Sequence, residues 1–125
     1  MKILLVDDSL FSRNTFKRHF ADLAGIEFME AANGIEALEL HRTVQPDVIF
    51  LDVTMPYLDG TATLKILRAI DRKVKIIMAT ALGNQQYLCN EFITLGVDGI
   101  LTKPVTKDAA LNVFYSATKY RGVAE

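Results

Sequence analysis

Short apolar runs and helix-like stripes alternate along the chain. Five runs have the length and aliphatic content of β-strands: Ile3–Val6, Ile26–Ala31, Val48–Leu51, Val74–Ala79 and Ile100–Leu101. The third and fourth runs are almost without polar positions, which is typical of parallel strands covered on both faces. The second run carries Glu27 and Glu30, and this half-polar pattern fits an edge strand.

Apolar residues with helical spacing occupy the stretches between these runs. The clearest stripes are Phe16, Phe20 and Leu23; Leu88, Phe92 and Leu95; and Ala110, Val113, Phe114 and Ala117. Asn33 stands three residues before Glu36, a capping-box-like start for a helix running to about Val44. Pro46 prevents this helix from continuing, and Gly96 stands where a helix commonly ends.

The alternation predicts an α/β fold, a single doubly wound (βα)₅ domain over residues 1–125. Half of the residues are hydrophobic and 23% are charged, which is a normal balance for a globular domain. The net charge of −1 argues against direct nucleic-acid binding. A single cysteine, Cys89, excludes an internal disulfide framework and a cysteine-based zinc cluster. No apolar stretch is long enough for a signal segment or a membrane span, so we expect a soluble, cytoplasmic protein.

Polar side chains follow four of the predicted strands. They are Asp7 and Asp8 after the first, Asp52 after the third, Thr80 after the fourth, and Thr102 and Lys103 after the fifth. Ligands of open α/β sheets bind beyond the carboxyl ends of the strands, so these groups should meet in one crevice. Three carboxylates against one lysine need a further cation, and an all-oxygen ligand set favours Mg²⁺ over zinc.

The sequence motifs at these strand ends resemble those of the receiver domain of two-component response regulators. The motifs are ILLVDDS at the start, VIFLDVTMPYLDG in the middle, MATA after the fourth strand and LTKP after the fifth. The resemblance covers essentially the whole chain. It implies a flavodoxin-like parallel sheet of five strands in the order 2-1-3-4-5.

The resemblance also implies roles for individual residues. Asp52 would accept a phosphoryl group from a histidine kinase or a histidine phosphotransfer protein. Asp8, Asp52 and the backbone carbonyl of Thr54 would ligate Mg²⁺, and Asp7 would act largely through water. The chain would then be a phosphorylation-switched binding module that catalyses its own phosphoryl transfer and slow autodephosphorylation, rather than an enzyme acting on other substrates.

The remaining roles concern the response to phosphorylation. Lys103 would pair with the phosphoryl oxygens, and Thr80 would move to hydrogen-bond them. The new dianion would draw the loop after the fourth strand inward. This movement would change a surface made by the fourth helix, the fifth strand and the fifth helix, which a downstream effector reads.

Some positions depart from the family pattern or modulate it. Ile100 stands three positions before Lys103, where many members carry an aromatic residue. We hypothesise that Tyr87, Ile100 and Tyr115 contribute to an apolar partner patch, because they fall outside the core stripes of their elements. Next to the site, Thr54 and Leu82 occupy positions that tend to modulate phosphoryl lifetime. Leu82 offers no hydrogen bond to an attacking water, so slow self-dephosphorylation is expected.

Each of these residues also has a purely structural interpretation. The alternatives are Asp8 as the N-cap of a helix beginning near Ser9, Asp59–Gly60 as a turn, Thr80 as a strand-end residue and Lys103 as a solvated charge. His19 and His41 have no ligand spacing and are interpreted as surface or packing residues. Cys89 is interpreted as an inert helix residue.

Other functions compete with the receiver interpretation. A dehalogenase-type phosphatase shares a strand-end aspartate but commonly places a second one two residues later, where this chain has Thr54. A flavodoxin-like electron carrier shares the fold, but Asp7 and Asp8 would repel its flavin phosphate. The chain is either a stand-alone regulator or a receiver trimmed from a longer protein with an output domain. We expect a monomer or a phosphorylation-dependent dimer; the fourth predicted helix has Glu91 as its one charge, which argues against a charge-paired dimer.

Overall fold

Strands and helices alternate from the first residues onward. The computed structural model describes residues 1–81 and 86–122, with the backbone alone at 86 and 87. The strands are β1 Lys2–Val6, β2 Glu27–Ala31, β3 Val48–Asp52, β4 Lys75–Thr80 and β5 Gly99–Thr102. The helices are α1 Leu10–His19, α2 Gly34–Val44, α3 Gly60–Ile70, α4 Gln86–Leu95 and α5 Lys107–Ala117.

The five strands form one parallel sheet in the order β2-β1-β3-β4-β5. The predicted α/β class, the doubly wound arrangement and the strand order are therefore confirmed. β3, β4 and β5 extend one residue further at their carboxyl ends than the apolar runs. Asp52 still pairs with Ala79, and Thr80 with Thr102, because backbone pairing does not require an apolar side chain.

Two apolar layers cover the two faces of the sheet. On one face, buried side chains of the sheet pack with α2, α3 and α4, including Leu64, Leu67 and Phe92. On the other face, Phe20 and Phe114 bring α1 and α5 against the sheet. All five residues of β3 are buried, so the strand that ends in Asp52 lies at the centre of the fold.

Helix caps fix where the site helices begin. Ser9, and not Asp8, caps α1, because its side chain accepts a hydrogen bond from the backbone N–H of Ser12. The capping interpretation of Asp8 is therefore wrong. The capping interaction predicted for α2 is confirmed: the N–H of Glu36 donates to Asn33 Oδ1 at 2.9 Å. The predicted end of that helix at Val44 is also confirmed.

Within the described ranges, no helix combines the length and apolar character needed to cross a membrane.

Candidate functional site

Three carboxylates meet at the carboxyl edge of the sheet. Asp7 and Asp8 follow β1 directly, and Asp52 is the last residue of the neighbouring strand β3. One carboxylate oxygen from each of the three lies within 4.8 Å of the others. Asp52 is buried, Asp7 is half-buried and Asp8 is exposed. The convergence predicted from the strand ends is therefore present in the structure.

Lys103 directly follows the edge strand β5 and supplies positive charge to the carboxylate cluster. Its Nζ lies 3.0 Å from Asp7 Oδ2 and 3.0 Å from Asp52 Oδ2. Its backbone N–H donates to the carbonyl of Thr80 at 2.8 Å, which ties the ends of β4 and β5 together. The following peptide bond, to Pro104, is cis. Lys103 is therefore a partly buried partner of two carboxylates, and the solvated-charge interpretation is wrong.

The charges at the site are not balanced. Burial raises the pKa of Asp52 above its ordinary value of 3.8, and the neighbouring Asp7 raises it further, although Lys103 and the Thr54 amide act in the opposite direction. Burial alone would lower the pKa of Lys103, but its hydrogen bonds to Asp7 and Asp52 outweigh that effect and raise it. Lys103 therefore stays charged at neutral pH, and the carboxylates retain an excess of negative charge.

Asp7 is held through its backbone and both of its carboxylate oxygens. Its N–H donates to the Ala31 carbonyl, Oδ1 accepts from the Ser9 N–H at 2.9 Å, and Oδ2 accepts from Lys103. The carbonyl of Asp7 accepts a hydrogen bond from Arg13 Nη1 at 2.5 Å. Four hydrogen bonds therefore hold Asp7, two of them at its carboxylate.

Arg13 is a site-supporting residue that we did not predict. Its Nε donates to Glu30 Oε1 on β2, and Lys17 Nζ contacts the other oxygen of that carboxylate, each at 2.9 Å. Hydrogen bonds from Lys17 and Arg13 lower the pKa of Glu30. One sequence signal was available: Arg13 and Lys17 are four residues apart on one helix, and the edge strand offers Glu30 as an acid.

The segment after β3 brings α3 close to Asp52. Asp59 caps α3 by accepting from the N–H of Ala62, so Asp59–Gly60 begins a helix and is not a plain turn. A Cβ at Gly60 would lie 2.0 Å from the carbonyl oxygen of Asp52, so the backbone approach requires glycine. Thr54 is exposed, and its backbone N–H hydrogen-bonds to the Asp52 carboxyl.

Two other predicted site residues belong to the end of β4 and to the segment after it. Thr80 is buried, with 3% of its surface exposed, and pairs with Thr102 across the β4–β5 ladder. Its place beside Asp52 and Lys103 agrees with the predicted convergence. Leu82, which we expect to slow dephosphorylation, lies outside the described residues.

The donor set fits a hard divalent cation. Carboxylate oxygens from three residues converge within reach of one ion, and they are the ligand type that Mg²⁺ prefers. Three carboxylates face one lysine at this cluster, and the neighbouring Asp7 adds to the larger effect of burial in raising the pKa of Asp52. The predicted magnesium site is therefore compatible with the residues present.

Comparison with known proteins agrees with this geometry. The model of the response regulator receiver domain matches residues 3–114. The chain belongs to the receiver domain family of response regulators. A relative, the chemotaxis protein CheY of Listeria monocytogenes, is 36% identical over 119 residues, which are 95% of this chain and 99% of that protein.

Solved receiver structures agree with the fold. The receiver domain of the Francisella response regulator 1452 superposes with a TM-score of 0.82 at 34% identity, covering 94% of this chain and 97% of that one. A chain of the CheX–CheY–BeF₃–Mg²⁺ complex of Borrelia burgdorferi gives a TM-score of 0.86 at 29% identity, covering 93% of this chain and 87% of that one. A receiver domain is a signalling module of two-component systems rather than a classical enzyme, and receiver domains generally bind Mg²⁺.

The hypothesised apolar partner patch stays a prediction. Ile100 and Tyr115 are half-buried: each packs against one of the two core layers, and the Tyr115 ring stacks on Tyr120 with ring centroids 6.3 Å apart. The Tyr87 side chain lies outside the described residues. Ile93 of α4, which we did not single out, is 64% exposed.

The two histidines lie away from the carboxylate cluster. His19 Nε2 contacts the Val105 carbonyl at 3.0 Å and so joins α1 to the segment after β5. His41 Nε2 lies 2.8 Å from Asp71 Oδ2 and ties α2 to the end of α3. Both have packing roles, as expected. Cys89 on α4 is half-buried.

Proposed function

We propose that this receiver domain accepts a phosphoryl group on Asp52 from a histidine kinase or a histidine phosphotransfer protein. The observation that carries the proposal is the position of Lys103 Nζ, 3.0 Å from both Asp52 and Asp7 at the carboxyl edge of the sheet. A cation in this position can neutralise charge on a phosphoryl group joined to Asp52. Asp52 is the last residue of β3, the central strand of the sheet, which pairs with β1 on one side and with β4 on the other.

The second part of the proposal concerns the metal. Asp8, Asp52 and the Thr54 carbonyl would hold Mg²⁺, with Asp7 acting largely through water. Bound there, the ion would supply positive charge to the acceptor and to the phosphoryl oxygens. Both oxygens of Asp7 already accept hydrogen bonds, from the Ser9 N–H and from Lys103, which supports an indirect role for it.

The chain's own residues prepare Asp52 for transfer. Burial keeps bulk water away from its carboxylate, and Lys103 holds one oxygen in a fixed direction. In the transfer, the other oxygen bonds to phosphorus while the bond between phosphorus and the donor nitrogen breaks, and the donor imidazole leaves. Little covalent chemistry is required of the protein, so orientation and charge neutralisation provide the catalysis.

Thr80 and Lys103 connect the acceptor to the output surface. Because the Lys103 N–H donates to the Thr80 carbonyl, movement of either strand end is transmitted to the other. We propose that Thr80 hydrogen-bonds the phosphoryl group and that a downstream effector reads the resulting change on α4, β5 and α5. The cytoplasmic location expected from the sequence belongs to the same proposal.

Intact mass spectrometry tests the acceptor. The protein is incubated with acetyl phosphate and Mg²⁺ as wild type, as Asp52→Asn, and as Asp22→Asn, in which an exposed carboxylate outside the cluster is changed. We expect a gain of one phosphoryl group in wild type and Asp22→Asn, no gain in Asp52→Asn, and loss of the gain in EDTA. An undiminished gain in Asp52→Asn would contradict the proposed acceptor, and an undiminished gain in EDTA would contradict the metal requirement.

The lifetime of the adduct tests the role of Leu82. If an apolar residue at this position slows hydrolysis by failing to orient water, Leu82→Gln shortens the phosphoryl half-life. An unchanged half-life would contradict this expectation.

The output surface is tested separately by measuring the affinity of the effector for Ile93→Ala, Ile100→Ala and Tyr115→Ala. An unchanged affinity in all three variants would contradict the proposal that the effector reads α4, β5 and α5.

A further inference from the structure

Both polar groups of the Asp7 main chain are held from the edge strand β2. The Asp7 N–H donates at 3.0 Å to the carbonyl of Ala31, the last residue of that strand. The Asp7 carbonyl accepts a hydrogen bond from Arg13 Nη1, and Arg13 Nε donates at 2.9 Å to Glu30, the residue before Ala31. Consecutive residues of one strand therefore fix Asp7, one of them directly and the other through Arg13.

The Asp7 carbonyl belongs to the peptide group that leads into Asp8. Because a peptide group is planar, an interaction that fixes its carbonyl also fixes the direction in which the chain enters the next residue. The carboxylates of Asp7 and Asp52 are held in addition by Lys103, whereas Asp8 is exposed. The direction of the Asp8 carboxylate therefore depends on how its backbone is held.

Glu30 determines where the Arg13 side chain lies. The Arg13 side chain is only 14% exposed, and a guanidinium that has lost much of its water needs an acceptor within the protein. Glu30 supplies that acceptor with one carboxylate oxygen and accepts from Lys17 Nζ with the other, also at 2.9 Å. An arginine side chain has many conformations in water, and the pair with Glu30 selects the one that reaches Asp7.

We propose that Glu30 is a positioning residue of the metal site, which acts through Arg13 to direct Asp8 toward the ion. This inference rests on the proposed magnesium site, in which Asp8 is a ligand. Glu30 itself is not one of the carboxylates that converge there. A different effect of Glu30 would be electrostatic, because its charge offsets those of Arg13 and Lys17, which repel a cation.

Two substitutions of Glu30 separate position from charge. Glu30→Met removes both the charge and the acceptors, whereas Glu30→Gln removes the charge and keeps an amide oxygen for Arg13 Nε. If Glu30 acts by positioning, Glu30→Gln behaves like the wild type; if it acts by charge, both variants behave alike. Lys17→Met is the matched control, because it removes the other partner of Glu30 and leaves the pair with Arg13 intact.

Backbone NMR of the metal-free protein measures positioning without the ion. We expect Glu30→Met to lower the heteronuclear ¹H–¹⁵N Overhauser value at the Asp8 amide, which reports increased motion of the peptide group. Glu30→Gln and Lys17→Met should keep the wild-type value. An unchanged value in Glu30→Met would overturn the proposal. Glu30→Ala gives the same comparison if Glu30→Met does not fold.

Calorimetric titration with MgCl₂ measures the consequence for the ion. We expect Glu30→Met to weaken Mg²⁺ binding about tenfold, and Glu30→Gln and Lys17→Met to stay within about threefold of the wild type. Equal weakening in Glu30→Met and Glu30→Gln would assign the effect to charge and overturn the proposal. In the Arg13→Met background, Glu30→Met should add less than about a twofold loss, because both substitutions break one chain of contacts.

The outcomes distinguish this inference from the proposed magnesium site. If the wild type does not bind Mg²⁺, the proposed metal site is wrong and the assignment of Glu30 fails with it. If the wild type binds Mg²⁺ and Glu30→Met binds it equally well, only the role of Glu30 is contradicted. A further tenfold loss on adding Glu30→Met to Arg13→Met would contradict action through Arg13.

Discussion

Removing the positive charge at the site should destabilise the metal-free protein. In Lys103→Met, Asp7 and Asp52 lose the cation that now lies 3.0 Å from each of them. Two unit charges at 4.8 Å, the largest separation within the cluster, repel by about 3.5 kcal/mol at an effective dielectric near 20. The substitution therefore leaves a repulsion that is large compared with the usual 5–15 kcal/mol stability of a domain.

Protonation limits this loss. The Asp52 carboxyl has an ordinary pKa of 3.8, so protonating it at pH 7 costs about 1.4 kcal/mol for each of about three pH units, or about 4 kcal/mol. At pH 5 the same protonation costs about 1.6 kcal/mol. Lys103 lowers the pKa of Asp52, so its removal raises that pKa in the folded protein. A raised carboxyl pKa destabilises the folded state only at pH values above the pKa of the unfolded chain, so the loss of stability should grow with pH. We expect about 2–4 kcal/mol at pH 7 and less than about 2 kcal/mol at pH 5.

Urea unfolding followed by circular dichroism measures this loss in EDTA, since the chain has no tryptophan. The matched control is Lys107→Met, which removes an exposed lysine whose Nζ lies 3.5 Å from Asp22 Oδ2 and should cost less than about 1 kcal/mol. A loss for Lys103→Met below about 1 kcal/mol at pH 7, or one that is equal at pH 5 and pH 7, would refute the reasoning.

Three further substitutions test the surroundings of the site. Gly60→Ala places a Cβ 2.0 Å from the Asp52 carbonyl oxygen and should lower the free energy of unfolding by about 2–3 kcal/mol in urea, whereas a change within error would contradict the close approach. Asp71→Asn should be less stable than wild type at pH 5 by about 1 kcal/mol. That difference should shrink as the pH falls below 3.8, since the pKa of Asp71 is lowered in the folded protein, and a pH-independent difference would exclude the charge effect. Arg13→Met should weaken Mg²⁺ binding about tenfold by calorimetry, and Arg42→Met, which breaks an exposed pair, should not; equal affinities would remove Arg13 from the support of the site.

The placement of the main site residues was predictable because it follows from topology. Parallel strands end at the same edge of a sheet, so the residues at the carboxyl ends of β1, β3, β4 and β5 had to converge once the strands were recognised. Lys103 and Asp52 are far apart in the sequence, yet strand ends alone bring them together. The exact end of each strand was less predictable, because Asp52 and Thr80 still pair through their backbones.

Interactions that depend on side-chain reach were not predictable from the pattern. The choice between Asp8 and Ser9 as the cap of α1 is decided by one hydrogen bond, to the N–H of Ser12. The contact from Arg13 to the Asp7 carbonyl requires a particular side-chain conformation and a partner on β2. Periodicity reports which face a residue occupies and does not report which of several nearby acceptors a flexible side chain reaches.

Burial at the predicted output surface was also not predictable. Ile100 and Tyr115 were expected to be available to a partner because they fall outside the core stripes of their elements. Both are half-buried: each packs against one of the two core layers, and the Tyr115 ring stacks on Tyr120. Apolar residues at element boundaries contact core and surface at once, and only packing decides between the two.

The central claim is that Asp52 carries the phosphoryl group, and chemical trapping tests it most directly. After treatment with acetyl phosphate and Mg²⁺, borohydride reduces an aspartyl phosphate to homoserine, which peptide sequencing by mass spectrometry locates. We predict homoserine at position 52 in the wild-type protein and at no other position. Homoserine at position 7 or 8, or an adduct that borohydride does not reduce, would contradict the account.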